Sequence, residues 1–149
     1  MDPSEESRRR TLAAMADVHQ TLEEGQHIGQ QLQMRTLHES VDTMVVEMPV
    51  TAQVSNSRGA LQGGMLATLV DIAAGWLAMA GVAEGHTTPT LDLNIHFLLP
   101  IVTGPARATA TVVRRGKRTI VARVDVEDVG RDRLAATAIA QFLVLENLT

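Results

Sequence analysis

Two glycines and a lone acid stand eight residues apart in the most chemically suggestive stretch of this chain, Asn56-x5-Gln62-Gly63-Gly64-x6-Asp71. Gly63-Gly64 at the start of a helix leaves backbone N–H groups unpaired, at the positive end of the dipole and without side-chain obstruction. A carbonyl placed there would have its developing oxyanion stabilised, a contribution of about 3 kcal/mol. Asp71 is the only charge in an apolar run, a setting that favours either a raised pKa or a specific partner. Such a carboxylate attacks a carbonyl directly or activates water, and the residues themselves leave both routes open. Asn56 either orients water or substrate or closes an Asx-turn. Gln62 is a neutral donor to a carbonyl or a structural amide.

On one helix, Gly63 and Asp71 lie about 12 Å apart, so one carbonyl cannot touch both. Two such helices packed antiparallel about a two-fold axis would bring Gly63 of one copy towards Asp71 of the other. The expectation is a homo-oligomer, a dimer or a dimer of dimers, with sites between subunits.

The elements that must hold these groups follow from periodicity. Residues from about Ser4 to Glu24, with Leu12, Met15, Ala16, Val18 and Leu22 at helical spacings, predict a helix ending at Gly25, within an N-terminal extension of residues 1–30. Strands are expected at Leu32–Ser40 and Thr43–Val50, the second with Met44, Val46, Met48 and Val50 on one side. Asn56-Ser57-Arg58-Gly59 is a loop signal, and the apolar helix follows it.

Beyond Gly85 the pattern is strands to the end. Leu91, Leu93, Ile95, Phe97 and Leu99 alternate against Asp92, Asn94 and His96. The next inward sets are Ala106–Val112, Ile120–Val126 and Leu134–Val144, each at period two, with many alanines that suit close approach to a helix backbone. A helix without a polar stripe must be covered, and a curved sheet does much of that. The expected class is α+β, a curved antiparallel sheet around a long central apolar helix, in one domain over residues 1–149.

Composition excludes several functions. The chain has 149 residues, enough for one real core, and a net charge of −4, which offers no basic field to nucleic acid. Trp76, Phe97 and Phe142 are the only aromatics, too few for base-stacking platforms. No cysteine is present, which excludes disulfides, thiolate catalysis and Cys-based metal sites. No His/Asp/Glu grouping has metal spacing, so neither metal nor cofactor is expected. Residues 63–82 match a bilayer span in length, but a mid-span Asp71 would cost about 3 kcal/mol, and the soluble reading is preferred. Arg8-Arg9-Arg10 has no apolar stretch behind it, which argues against a secretory signal and for the cytoplasm.

The stretch resembles the phenylacetyl-CoA branch of the hotdog-fold thioesterases. That family shows Asn, five residues, His-Gly-Gly, a hydrophobic helix bearing an acid, Ser/Thr-x-Asp opening a strand, and a strand-ending Pro-x-x-Gly. Asn56, Gly63, Gly64, Asp71, Thr90, Asp92, Pro100 and Gly104 match, from about Asn56 to Phe142, and Gln62 stands where the family usually has His. The resemblance implies a hotdog fold and an acyl-CoA substrate hydrolysed at a thioester. It implies Asp71 as the catalytic carboxylate, the Gly63 N–H polarising the carbonyl, and Asn56, Gln62 and Gly63 facing Asp71 and Thr90 of the partner.

Gly64 belongs to the substrate-binding set. Arg114, Arg115, Lys117 and Arg118 are expected either as solvated turn residues or as contacts for CoA phosphates. Thr90 is either a strand former or a group orienting Asp71. The competing function is an acyl-CoA-binding module without catalysis. A hotdog dehydratase is disfavoured, because it would need a His in the helix-entry motif.

Overall fold

The computed structural model describes residues 27–146. The helix expected over Ser4–Glu24 lies outside these residues; inside them the N-terminal region contributes a four-residue helix, α1 (Ile28–Gln31). The chain continues through β1 (Arg35–Glu39), β2 (Thr43–Met48), the long helix α2 (Gly63–Ala80), β3 (His86–Thr87) and β4 (Thr90–Phe97). It ends with β5 (Ala106–Arg115), β6 (Thr119–Asp128), β7 (Arg133–Leu143) and β8 (Leu145–Glu146). Six strands form one antiparallel sheet in the order β1-β2-β5-β6-β7-β4, and β3 pairs with β8 beside it.

The alternating runs predict most of the buried face, but Phe97, Leu99 and Leu134, which the same alternation would bury, are exposed. Met44, Val46 and Met48, Ala106, Ala108 and Ala110, Ile120 to Val126 at every second residue, and Ala136, Ala138, Ala140 and Phe142 are all buried. They receive the side of α2 that carries Leu66, Leu69, Val70, Ala73, Ala74, Leu77 and Ala78. The four larger of these contribute roughly 1.5–3 kcal/mol each. That outweighs the roughly 0.5–1 kcal/mol cost of Gly75 inside the helix. Among the described residues α2 is also long and apolar enough to cross a membrane, with 39% of it buried. Its other side, bearing Asp71, Ile72, Gly75, Trp76 and Met79, is not covered by the sheet.

Two departures from strict alternation position functional groups. In β4, Thr90 pairs with Phe142 and Asp92 with Gln141, so Leu91 is an extra, bulged residue. Period two alone puts Leu91 on the inner face with Leu93, and Thr90 outside. The bulge reverses this: Thr90 shares a face with buried Phe142, and Leu91 is 55% exposed. In β5 the same device operates at Val113, where Val112 pairs with Ala122 and Arg114 with Val121. Arg115 then pairs with buried Ile120 and turns towards the helix.

Candidate active site

Asp71 lies two turns into α2, half-buried, with its side chain directed at the start of β4. Thr90 Oγ1 donates to Asp71 Oδ1 at 2.8 Å. Among the described residues no protein group meets the other oxygen, Oδ2, so it is available to a substrate or a water. The Leu91 bulge brings the hydroxyl to this place, because without it Thr90 would face the opposite side of the sheet.

Beside this pair opens a cleft of about 620 Å³ between α2 and the Thr87–Thr90 segment. Asp71, Thr87, Thr88 and Thr90 are polar groups in its lining, and Ile72, Gly75, Trp76, Met79, Phe142 and Leu145 form its apolar wall. His27 reaches it from the N-terminal side, with its Nδ1 accepting the Gly29 N–H at 3.1 Å as the cap of α1. Gly75 and Met79 follow Asp71 by one and two turns, a relation already present in the helical period. His27 and Leu145 carry no comparable signal, because only folding brings α1 and β8 to the cleft.

The helix-entry residues sit at the other end of α2. Gln62 is the N-cap and exposed; its backbone carbonyl accepts from Met65 and Leu66, while its side chain makes no capping bond. Gly63 and Gly64 occupy the first turn, where no intrahelical carbonyl reaches their N–H groups. A Cβ on Gly63 would meet only the Phe97 ring, at 3.5 Å. Asn56 Oδ1 accepts from Arg58 N at 2.9 Å and Ala60 N at 3.2 Å, which closes the turn before the helix. Its Oδ1 is therefore engaged in an Asx-type turn. Within one chain, Gly63 and Asp71 do not converge on a common point, as the helical rise requires.

The basic turn divides. Arg115 donates to the carbonyls of Ala78 at 3.0 Å, Leu77 at 3.1 Å and Val41 at 2.9 Å, holding the C-terminal end of α2. Its guanidinium packs where a Cβ on Gly81 would overlap it, so any larger residue there would have to displace the Arg115 head. The Val113 bulge turned it inward, which strand alternation cannot anticipate. Arg114, Lys117 and Arg118 remain exposed.

Two buried carboxylates lie elsewhere. Glu47 in β2 binds Arg35 through Oε2 at 3.1 Å and Arg107 through Oε1 at 2.7 Å. Burial pushes its carboxyl up, but the hydrogen bonds and charges of Arg107 and Arg35 outweigh burial and hold it below the ordinary range. It lines a cavity of about 480 Å³ with Arg35, but both its oxygens are occupied, so that cavity presents no free acid. Asp128 accepts the N–H groups of Val102, Thr103 and Gly104 at 3.0, 3.2 and 2.7 Å. Burial again raises its carboxyl, and the three backbone donors with Arg131 bring it below the ordinary range. It pins the loop after β4, whose Ile101 carbonyl accepts from Leu61 N at 2.8 Å just before α2. Among the described residues no group of three His, Asp or Glu side chains is placed to hold a metal.

Comparison with known proteins bears on the family and the fold. Residues 58–135 match the profile of the thioesterase superfamily. Acyl-coenzyme A thioesterase 13 of Mus musculus is 31% identical over 96 residues, covering 64% of this chain and 68% of that protein. A thioesterase structure from Haemophilus influenzae superposes with a TM-score of 0.76 at 23% identity, over 81% of this chain and 84% of the other. A phenylacetic acid degradation-related protein from Ralstonia eutropha gives a TM-score of 0.72 at 25% identity, over 83% and 97% of the two chains.

Proposed function

This chain belongs to the thioesterase superfamily and has its hotdog fold, and from that membership and the Asp71 cleft we propose that it is an acyl-CoA thioesterase working as a homo-oligomer. One observation carries the proposal beyond the family: Thr90 fixes one oxygen of Asp71 at 2.8 Å and leaves the other open at the mouth of an apolar cleft. A carboxylate merely stabilising the fold would have both oxygens engaged, as Glu47 does.

The chemistry follows from the geometry. Asp71 takes a proton from water as the water oxygen adds to the thioester carbonyl carbon. The resulting oxyanion collapses, the C–S bond breaks, and the proton passes to the departing sulfur, giving free acid and CoA thiol. In the alternative sequence Asp71 itself adds to the carbonyl, the C–S bond breaks, and water hydrolyses the resulting anhydride. Both sequences need a donor for the oxyanion, and the Gly63 N–H at the helix start is suited to it. Because Gly63 and Asp71 of one chain lie too far apart, Gly63, Gln62 and Asn56 of one subunit serve Asp71 and Thr90 of another. Arg114, Lys117 and Arg118 are free to meet the CoA phosphates at the rim, with Gly64 offering a second N–H.

Complementation between inactive variants tests this. Asp71→Asn removes the carboxylate. Gly63→Pro removes the N–H while respecting the helix, since proline suits the first helical position and Gln62 already has the extended ψ of 134° that a residue before proline adopts. Each variant alone should hydrolyse acyl-CoA at least about 100-fold more slowly than wild type. Mixed and re-equilibrated, they should recover about a quarter of wild-type activity, because each mixed dimer holds one intact site. Absence of recovery, in a mixture shown by native mass to contain mixed dimers, would overturn the shared arrangement. Binding of acyl-CoA by wild type without turnover would replace hydrolysis with a binding role.

A further inference from the structure

We infer that the cleft takes a medium-length apolar acyl group laid along α2 from Asp71 towards Met79, and that Gly75 sets the accessible length. The inference rests on the thioesterase reading above. Its first support is the lining: Ile72, Trp76, Met79, Phe142 and Leu145 give the cleft an apolar wall, while Asp71, His27 and the threonines of the Thr87–Thr90 segment are its polar groups.

The second support is the glycine itself. Gly81, Gly104 and Gly130 have neighbours that a Cβ would strike, so packing explains them. Gly75 does not: a Cβ there would meet only Phe142 Cε1 at 3.8 Å, ordinary van der Waals contact. It sits inside an α-helix, where glycine is a poor choice and where alanine would fit. What a larger side chain at position 75 would fill is the cleft, one turn beyond Asp71. Glycine keeps that passage open.

Geometry gives the length. Asp71 to Met79 is eight residues, about 12 Å along the helix. With C–C bonds of about 1.5 Å advancing roughly 1.3 Å each along an extended chain, that distance spans about nine carbons. Trp76 and Met79 then bound the far end, with His27 beside them.

The test compares kcat/KM for four straight-chain substrates, butyryl-, octanoyl-, decanoyl- and palmitoyl-CoA, and for phenylacetyl-CoA in wild type, Gly75→Ala, Gly75→Leu and Met79→Trp. Wild type should prefer octanoyl- and decanoyl-CoA. Gly75→Leu should lower both by roughly tenfold or more and leave butyryl-CoA within about threefold. Met79→Trp should lower decanoyl-CoA more than octanoyl-CoA, because it obstructs the distal end alone. Gly75→Ala should fold at least as stably as wild type and fall between it and Gly75→Leu in length preference. An equal loss at every chain length, or an unchanged profile, overturns the inference while leaving thioester hydrolysis standing. A wild type that hydrolyses phenylacetyl-CoA but none of the four also overturns the inference, and one that hydrolyses none of the five removes the thioesterase reading itself.

Discussion

Asp71 and Asp128 are the same residue type in one small protein, and their surroundings assign them opposite tasks. Asp128 is 1% exposed and accepts three backbone N–H groups from a single loop, so its negative charge is spent on holding chain. Asp71 receives one hydroxyl and keeps an oxygen open to a cleft. The contrast teaches that burial of an acid is a poor guide to chemistry. Unfilled acceptor capacity beside space for a ligand is the better one.

The largest effect expected from this contrast is on Asp71. Asp71→Asn should lower kcat/KM by about 10³–10⁴. Its thermal midpoint, followed by circular dichroism, should stay near wild type, because the amide oxygen still accepts from Thr90. A variant that unfolds instead would make Asp71 a second Asp128 and dissolve the distinction. Asp128→Ala should do the reverse, costing about 2–4 kcal/mol in urea unfolding because it strands three backbone donors, that of Gly104 buried. Activity per folded molecule should remain close to wild type.

Acid should expose the same difference. Asp128 and Glu47 both titrate below their ordinary range when folded. Their contribution is therefore complete above the unfolded values, about 3.9 and 4.3, and is lost as pH falls through the lower folded values. Urea midpoints measured from about pH 6 downward should decline below about pH 4. Asp128→Asn should flatten that decline; an unchanged acid limb would show that other groups govern it. The smallest effect belongs to Thr90, which positions rather than reacts. Thr90→Val should lower kcat by about tenfold with little change in KM, and Thr90→Ser should restore most of it. Equal impairment of the Ser variant would give the methyl group, and so packing, the role assigned to the hydroxyl.

Much of the architecture was legible because a sheet with one buried face must alternate, and a shift of one residue would expose a whole core set. Met44–Val46–Met48 and the alanine series of β5 and β7 are buried as that logic requires. The logic fails at Leu91 and Val113, where a bulge reverses the faces, and nothing in either local sequence announces it. That is why alternation alone would turn Thr90 outward, although the motif offers it as a group orienting Asp71, and why Arg115 reads as a rim cation. The structure brings the first to Asp71 and the second to the helix end. Asp128 was not legible at all, since its three donors lie 24 to 26 residues earlier. The Asn56, Gln62, Gly63 and Asp71 set was visible through its spacing, but within one chain Gly63 and Asp71 stand at different points along α2 and do not converge.

The clasp of Arg115 on the last carbonyls of α2 has a consequence for how the helix opens. Its C-terminal end is tied to the β5–β6 hairpin and to Val41, so loosening it means releasing two other segments at once. The opposite end begins with two glycines and no side-chain cap. Fraying should therefore run in one direction, from Gly63 inward, and amide hydrogen exchange should show the first turn as the least protected part of the helix. The first turn thus offers N–H groups that no acceptor among the described residues fills, while the residues just before it are anchored through Leu61 to Ile101 and Gln62 to Val54. A carbonyl seated on that turn would act as the cap that the sequence omits.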